Sequence, residues 1–446
     1  AAPMPPALGH SCRQPHLAVW WLGLVGSSQG SLCMSDAGAG DRIKMPIAQL
    51  SIGMYVVELD RPWSETAFLF QGFRIRQQQE ILLLGEVCQY VWVDARRSVG
   101  MQRQVEENLA AAASSELQPL IAKVDFNLEM QQAEPAFHAA REQSLRLLAA
   151  VRLGHELDVA QVKVVVKECV ESLLRNPGAM LWLARIKHRD EYTAEHSLRV
   201  AIFSIALGRE LGMRQGELEH LGLCGMLHDV GKIKVPEAIL NKPGALTPDE
   251  MRIMQSHASE GRKLLMSNAQ VTAAAVDVAF SHHERLDGRG YPRGLDAPRI
   301  PHLAKIVALV DAYDAINSDR PYSKGKSSLE ALRILFDASG SHFDEALVKV
   351  FVRRIGIYPP GEIVEMSNGE VGIIIACSPL SKLKPKVLLV LNDGKQPGPE
   401  RVVDLQETPL DRSGRSYRIK DVYPTGAFGI DIEAYRRKGL VIPGHL

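Results

Sequence analysis

Side chains able to bind metal ions are concentrated in the middle of the sequence, and two of them are adjacent histidines. The set comprises His196, His228, Asp229, His257, His282, His283 and Asp311. Imidazole nitrogens and carboxylate oxygens without sulfur suit iron, manganese, zinc or other first-row ions. Five imidazoles and two carboxylates exceed the coordination of one ion, so we predict two ions that share Asp229 as a bridge.

The residues around this set indicate what two ions would do. Ions about 4 Å apart activate a bridging hydroxide and stabilise the transition state of phosphoryl transfer. Lys232 follows Asp229 by about one turn and could neutralise charge on a non-bridging phosphate oxygen. Arg320 could hold a phosphate through two parallel hydrogen bonds. We therefore predict attack of hydroxide on phosphorus, with Asp229 and Lys232 as the catalytic residues.

A glycine-rich turn follows the adjacent histidines. Gly288 and Gly290 would let the loop backbone approach a ligand closely, and Tyr291 could stack on a base or simply pack. Each feature alone has an ordinary explanation, since a single histidine on an apolar helix is usually a core residue. Together they favour a site, because every buried neutral imidazole still needs partners. We interpret Asp314 as a residue behind the ligands or at the helix surface.

The N-terminal part of the chain differs in composition from the rest. Residues 1–45 are rich in Gly, Ala, Ser and Pro, and we predict that they lack a packed fold. The apolar run at 17–25 is too short to span a bilayer. We favour a disordered extension or a misassigned start upstream of Met34. A signal peptide with Arg13 as its basic flank stays an alternative.

The rest of the sequence predicts a mainly α protein with smaller domains at both ends. The predicted segments are a small α+β regulatory domain (46–100), a helical linker (101–135), an all-helical catalytic domain (136–358), a small β subdomain (361–425) and a tail (426–446). Strand-like runs at 53–59, 68–70 and 90–94 support the first of these segments. The β subdomain rests on strand-like runs at 363–366, 371–375 and 386–391, with a hairpin turn at 367–369.

One helix start within the catalytic domain is clear from its residues. Thr247 can cap the helix, Pro248 tolerates the first helical position, and Glu250 can close a capping box. The helix that carries His257 is therefore predicted to begin here.

The overall composition limits the classes of partner. The formal net charge is +0 and the pI is about 7.4, which gives no support for binding to duplex nucleic acid or a membrane surface. A small anionic ligand held by local cations is compatible with it. The six cysteines form no Cys-x-x-Cys pair, which argues against a thiolate zinc site or a disulfide framework. A cytoplasmic location fits best.

The motifs taken together resemble the HD-GYP domain, a subgroup of the HD phosphohydrolase superfamily, over residues 185–358. The matching stretches are Tyr192-Thr193-Ala194-Glu195-His196-Ser197, His228-Asp229-Val230-Gly231-Lys232, His257, His282-His283-Glu284, Asp287-Gly288-Arg289-Gly290-Tyr291-Pro292 and Asp311-Ala312-Tyr313-Asp314-Ala315. Residues 46–96 also resemble the small N-terminal domain of unknown function that precedes HD-GYP in one bacterial subgroup. Gly53-Met54-Tyr55-Val56 and Arg61-Pro62-Trp63 carry that second match.

The resemblance implies a phosphodiesterase for the bacterial second messenger cyclic di-GMP, which forms linear pGpG and often GMP. It assigns metal binding to the seven residues named at the start and phosphate contact to Lys232 and Arg320. The substrate loop would be Gly288 to Pro292. We expect two divalent ions, iron or manganese.

The sequence departs from the family pattern at two positions. Members with three metal ions carry a glutamate one turn before the first histidine. Here that position is Tyr192, with Glu191 and Glu195 directed elsewhere on the helix, so we predict two ions. Some members have a basic residue just after the Arg-Pro-Tyr segment, and Lys324 could substitute for it.

Other functions stay open. The domain could act as a cyclic-dinucleotide sensor, or dock diguanylate cyclase domains through the Gly-Tyr-Pro loop, with little or no turnover. The substrate could be a different cyclic dinucleotide, such as cyclic GMP-AMP. Amphipathic helices between about 100 and 180 could support a homodimer, although packing within one chain explains them equally well.

Overall fold

The structure is a computed structural model in which two compact units are separated near residue 104. It describes residues 42–61, 73–75, 78–94, 123–185, 192–318, 325–378, 381–408, 410–411 and 413–438. Several predictions therefore lie outside the described residues. These are the state of residues 1–41, the strand-like run at 68–70, the first part of the linker at 101–122, Arg320 and Lys324.

The first unit is a small α+β domain. Its elements are β1 (Arg42–Pro46), β2 (Tyr55–Leu59), β3 (Phe73–Arg74), α1 (Gln78–Val87) and β4 (Tyr90–Asp94). The strands pair antiparallel in the order β1-β4-β2-β3. Alternate residues of a strand point to opposite faces of the sheet. Accordingly, Val91 and Val93 are fully buried in a core that also contains Leu84 of α1.

The predicted boundary at residue 46 is wrong, because β1 begins at Arg42. Ile43 and Met45 pack against the core of the first unit, and β1 pairs along its length with β4. The composition of residues 1–45 as a whole, rich in Gly, Ala, Ser and Pro, does not reveal this strand. The pairing with a neighbouring strand decides their conformation.

The second unit begins with a bundle of helices. They are α2 (Phe126–Arg152), α3 (Val159–Arg175), α4 (Pro177–Arg185), α5 (Tyr192–Glu210), α6 (Gln215–Leu227), α7 (Glu237–Leu240), α8 (Pro248–Met266), α9 (Ala273–Ser281), α10 (His302–Asn317), α11 (Ser328–Asp337) and α12 (Glu345–Ile355). The described part of this unit also contains the short 3-10 segments Val230–Lys234, Ala297–Arg299 and Ala427–Gly429. The mainly α fold class is therefore confirmed.

The predicted boundary between linker and catalytic domain falls inside a helix. Helix α2 runs through Pro135 without ending, although an interior proline removes one backbone hydrogen bond. Asp125 caps the helix, with its carboxylate accepting the N–H groups of Asn127 and Leu128. Met130, Ala133 and Phe137 are buried, so tertiary packing of this face holds the helix across the proline.

A five-stranded antiparallel sheet follows the helices. It contains β5 (Ile363–Met366), β6 (Val371–Ser378), β7 (Ser381–Leu391), β8 (Pro397–Asp404) and β9 (Ile419–Tyr423), in the order β8-β7-β6-β5-β9. The three predicted strands are present, and the turn between β5 and β6 contains Gly369 at φ 90°, a conformation that favours glycine. Helix α13 (Ile432–Arg437) lies in the predicted tail, and Ile430 and Ile432 there are buried.

No helix among the described residues is long and apolar enough to cross a membrane. Among the described residues, Cys88, Cys169 and Cys224 are buried free thiols.

Candidate metal centre

The seven predicted metal ligands converge from five helices of the second unit. His196 lies on α5, His228 caps α6 and Asp229 follows it, His257 lies on α8, His282 caps α9 with His283 next, and Asp311 lies on α10. Their donor atoms form two groups, each within 4.8 Å: Asp229, His257, His282 and His283, and His196, His228 and Asp311. Burial is nearly complete for all of them except His283, which is partly buried.

Asp229 lies between the two groups and presents one oxygen to each. Its Oδ2 is 3.5 Å from His196 Nε2 and 3.3 Å from His228 Nε2. Its Oδ1 is 3.5 Å from His257 Nε2 and 3.6 Å from His282 Nε2. A carboxylate placed this way can bridge two ions.

The second carboxylate of the centre is that of Asp311 on α10. Its Oδ1 is 3.1 Å from His196 Nε2, and its Oδ2 is 4.0 Å from His283 Nδ1. This second carboxylate therefore also reaches donors of both groups.

Hydrogen bonds to main-chain carbonyls fix three of the imidazoles. Nδ1 of His228 is 2.8 Å from Gly225 O, Nδ1 of His257 is 2.7 Å from Met254 O, and Nδ1 of His282 is 3.0 Å from Ala279 O. A carbonyl only accepts, so each Nδ1 must donate, and in the neutral ring the Nε2 lone pair is left for a metal.

The Nε2 atoms of these three histidines face other acceptor atoms. Nε2 of His257 and Nε2 of His282 lie only 3.3 Å apart, so two lone pairs face each other. Among the described residues, His228 Nε2 and Asp229 Oδ1 are buried without a hydrogen-bond partner. Buried polar atoms seldom stay unsatisfied, and a divalent cation in each group would satisfy all of these acceptors. The donor set thus fits metal ions.

The electrostatics of the centre are consistent with this fit. Burial disfavours the Asp229 carboxylate, but Lys232 and His228 outweigh it and hold its pKa well below the usual range. Burial lowers the pKa of His257 to about 3. Burial also opposes ionisation of His228, yet the Asp229 and Asp311 carboxylates raise its pKa to about 9. Metal ligands must be deprotonated, so an ion would displace a proton from His228.

Two glycines set the close approach of the elements that carry the ligands. A Cβ on Gly225 would lie 2.7 Å from Ala201 Cα, which fixes α6 tightly against the His196 helix α5. A Cβ on Gly231 would lie 2.0 Å from His257 O and 2.4 Å from Gly261 N. The 3-10 segment after Asp229 therefore lies directly on the backbone of α8, and this contact brings Asp229 to His257.

Two residues lie behind the ligands, of which the sequence left Asp314 with two alternative placements and did not single out Arg199. Asp314 is buried, and its Oδ2 is 2.7 Å from His196 Nδ1, so it lies behind a ligand and not at the helix surface. Arg199 donates hydrogen bonds to both carboxylate oxygens of Asp314, at 2.7 and 3.0 Å. The available signal was spacing, since Arg199 and Asp314 each follow a predicted ligand by three residues on the same helix.

The glycine-rich loop turns back onto its own backbone. Gly288 has φ 72°, and a Cβ on Gly290 would lie 2.5 Å from both Glu284 Cα and His283 O. Tyr291 stacks on the His283 ring, with centroids 4.6 Å apart and an interplanar angle of 28°. Its peptide bond to Pro292 is cis. The Gly290 approach is thus to the chain itself, and ligand contact by this loop stays a prediction.

Glu284 holds the outer part of this loop. Its buried carboxylate accepts the N–H groups of Arg293 and Leu295, both at 2.8 Å. Glu284→Ala should destabilise the loop by about 1–3 kcal/mol, because both amides lose their acceptor. Hydrogen exchange at Arg293 and Leu295 should become faster. The control Asp296→Ala removes an exposed carboxylate paired with Arg299 and should change little. Unchanged exchange in Glu284→Ala would contradict this role.

The remaining predicted residues differ in how much the structure says of them. Lys232 contacts Asp229 Oδ2, and its side chain is 21% exposed, so it lies at the rim of the centre. Helix α5 begins at Tyr192, but the Tyr192 side chain lies outside the described residues. Glu195 accepts hydrogen bonds from Arg141 and Arg199.

Family models match two segments of the chain. An HD domain model matches residues 184–347, which include all seven candidate ligands. A model described as a domain of unknown function (DUF3391) matches residues 42–162. The second match is longer than the resemblance at 46–96 and extends through α2 into α3.

Relatives of known name match the same regions. The chain is 36% identical to cyclic di-GMP phosphodiesterase PA4108 of Pseudomonas aeruginosa over 390 residues, covering 86% of this chain and 93% of that protein. It is 39% identical to a cyclic di-GMP phosphodiesterase of Thermotoga maritima, covering 37% of this chain and 46% of that one. It is 35% identical to 3′3′-cGAMP-specific phosphodiesterase 1 of Vibrio cholerae, covering 42% of this chain and 43% of that protein.

Proposed function

We propose that this chain, which belongs to the HD-GYP subgroup of the HD-domain family, is a metal-dependent phosphodiesterase that hydrolyses cyclic di-GMP. The observation that carries the proposal is the shared carboxylate of Asp229, which faces two buried histidine groups from one position. Such a centre suits the displacement of an alkoxide from a phosphodiester, a reaction in which two ions act together.

Two divalent ions, iron or manganese, are the proposed cofactors. Nitrogen and oxygen donors without sulfur favour these metals over softer ones. His196, His228 and Asp311 would hold one ion, His257, His282 and His283 would hold the other, and Asp229 would bridge. The bound ions supply Lewis acidity for the attack of water on phosphorus.

The protein side chains contribute orientation and charge. Asp229 keeps its carboxylate ionised, and the hydrogen bonds from Nδ1 keep the Nε2 atoms of the histidines directed inward. Lys232, at the rim, would neutralise a non-bridging phosphate oxygen as negative charge develops on it. Substrate contacts by Gly288 to Pro292, Arg320 and Lys324 are proposed from the family resemblance. Linear pGpG is the first product, and GMP follows if the linear form is also hydrolysed.

Lys232→Met should lower kcat by about 10²–10³-fold, which is the usual loss for one preorganised transition-state contact. Metal content should be kept, because the substitution removes a cation beside Asp229 and no ligand. The control is Lys234→Met, since Lys234 is exposed on the same 3-10 segment. Steady-state kinetics and metal analysis of both variants check this. Equal losses of metal and activity in Lys232→Met would assign Lys232 to the folding of the centre.

The relative specific for 3′3′-cGAMP supports a second candidate substrate within the same reaction class. Competition between cyclic di-GMP and 3′3′-cGAMP in one reaction yields the ratio of their kcat/KM values directly. We expect cyclic di-GMP to be consumed first. Faster consumption of 3′3′-cGAMP would reassign the substrate, and binding of either dinucleotide without consumption would indicate a sensor.

The proposed setting is bacterial second-messenger signalling in the cytoplasm. Docking of diguanylate cyclase domains and formation of a homodimer are further proposals from the sequence, which size-exclusion chromatography with light scattering can test.

A further inference from the structure

A series of hydrogen-bonded side chains extends from His196 away from the metal centre. The first contact joins His196 Nδ1 to Asp314 Oδ2 at 2.7 Å. The second joins Asp314 to Arg199, which donates from Nε at 2.7 Å and from Nη2 at 3.0 Å. The side chains of Arg199 and Asp314 are only 4% and 2% exposed, so this paired contact is shielded from water and from salt.

The series continues from Arg199 through Glu195, on the same helix, to Arg141 on α2. Nη1 of Arg199 is 3.5 Å from Glu195 Oε2, and Glu195 Oε1 accepts a 2.8 Å hydrogen bond from Nε of Arg141. Glu195 is 5% exposed, while Arg141 is 27% exposed. The order from the outside inward is therefore Arg141, Glu195, Arg199, Asp314, His196.

The outer end of the series lies on α2, which the HD domain match does not include. That match covers 184–347, whereas α2 at 126–152 falls within the 42–162 match to the domain of unknown function. Ser144 of α2 also donates to Ala194 O at 2.9 Å, beside His196 on α5. Helix α2, which lies within the match to the N-terminal domain of unknown function, thus contacts the helix that carries His196.

We propose that Arg199, Asp314 and Arg141 are positioning residues that orient His196 for metal binding, with α2 as their anchor. Asp314 accepts a hydrogen bond from Nδ1–H of His196. This contact keeps the Nε2 lone pair of His196 on the side of Asp229 and Asp311. Arg199 fixes the Asp314 carboxylate through two hydrogen bonds, a geometry that lysine cannot reproduce. Glu195 holds Arg199, and Arg141 holds Glu195. The inference deepens the proposed function and rests on it for the presence of metal in this centre.

The test is the affinity of the full chain for Mn²⁺ and, under anaerobic conditions, Fe²⁺, measured by competition with a chelator. Asp314→Asn should weaken binding by about 10–100-fold, as is usual for partners of metal-bound histidines. Arg199→Lys should fall in the same range. Arg141→Met, farther from the ion, should reduce affinity by about tenfold, the lower end of that range, and Arg141→Lys should recover part of it.

Arg146→Met is the matched control for Arg141→Met. Arg146 lies on the same helix and pairs with Glu142 at 2.5 Å, but both side chains are more than half exposed, at 68% and 63%. Loss of this surface pair should leave metal affinity unchanged. Circular dichroism of each metal-free variant confirms that it is folded before the titration.

A double substitution separates positioning from general destabilisation. With Asp314→Asn already present, Arg141→Met should cause little further loss of affinity, because the series is interrupted before it reaches His196. Additive losses, or unchanged affinity in folded Asp314→Asn, would overturn the inference. The readout is metal affinity, so a chain that binds metal with this dependence but leaves cyclic di-GMP intact would refute the proposed function alone.

Discussion

Asp229→Ala should deprive both histidine groups of metal at once and reduce hydrolysis of cyclic di-GMP by more than about 100-fold. Residues that only support a ligand cost at most about 100-fold when they are replaced. Asp229 itself presents an oxygen to each group, so its loss should cost more. His228→Ala should have a similar effect on turnover, since it removes a buried donor from the group with His196 and Asp311. Metal analysis after anaerobic purification and initial rates check both variants.

The control for Asp229→Ala is Asp249→Ala. Asp249 lies in the first turn of α8 and its side chain is 79% exposed beside Arg252, so its removal should affect neither metal content nor rate. Retained hydrolysis in Asp229→Ala and His228→Ala, with normal metal content, would refute the assignment of the centre.

Gly231→Ala should have the second largest effect, and it acts through the backbone alone. The added Cβ would meet His257 O at 2.0 Å and Gly261 N at 2.4 Å, and neither atom belongs to a side chain that can rotate away. We expect a loss of at least about 3 kcal/mol in folding free energy, the upper end of ordinary overpacking. Asp229 would move away from His257, so metal binding should fall even in the fraction that folds.

Gly216→Ala is the matched control for Gly231→Ala. Gly216 lies in α6, and a Cβ there would have no neighbour within 4 Å. Alanine is the better helix former by up to about 1 kcal/mol, so this variant should be as stable as the parent protein or more stable. Thermal denaturation and metal content of the two variants give the comparison. A normal melting temperature and full metal content in Gly231→Ala would contradict the close contact of the 3-10 segment with α8.

Residue chemistry and local patterns made much of the site predictable. The choice of His196, His228, Asp229, His257 and the other candidates needed only their side chains and their occurrence together, and the structure brings all seven to one place. The start of α8 was also predictable, because Thr247 and Glu250 form a capping box with Pro248 at the first turn. The assignment of the seven histidines and aspartates as metal ligands stays a prediction, which the metal-loaded protein will test.

Contacts between distant segments were not predictable. Arg199 and Asp314 are 115 residues apart in sequence, and no local pattern indicates that they pair. Gly290 was expected to approach a ligand, but its close neighbours are the backbone atoms of residues 283–285. The strand β1 was missed because its pairing with β4 is decided by residues near 90. In each case the contact depends on the three-dimensional path of the chain, which the local sequence does not specify.

The central claim is that a metal centre bridged by Asp229 hydrolyses cyclic di-GMP. The most direct measurement combines metal analysis after anaerobic loading with iron or manganese and chromatography of the products formed from cyclic di-GMP. We expect two ions per chain and conversion to pGpG, with or without GMP. Three ions per chain would refute the interpretation of Tyr192. Intact cyclic di-GMP after incubation with the fully loaded protein would contradict the claim itself.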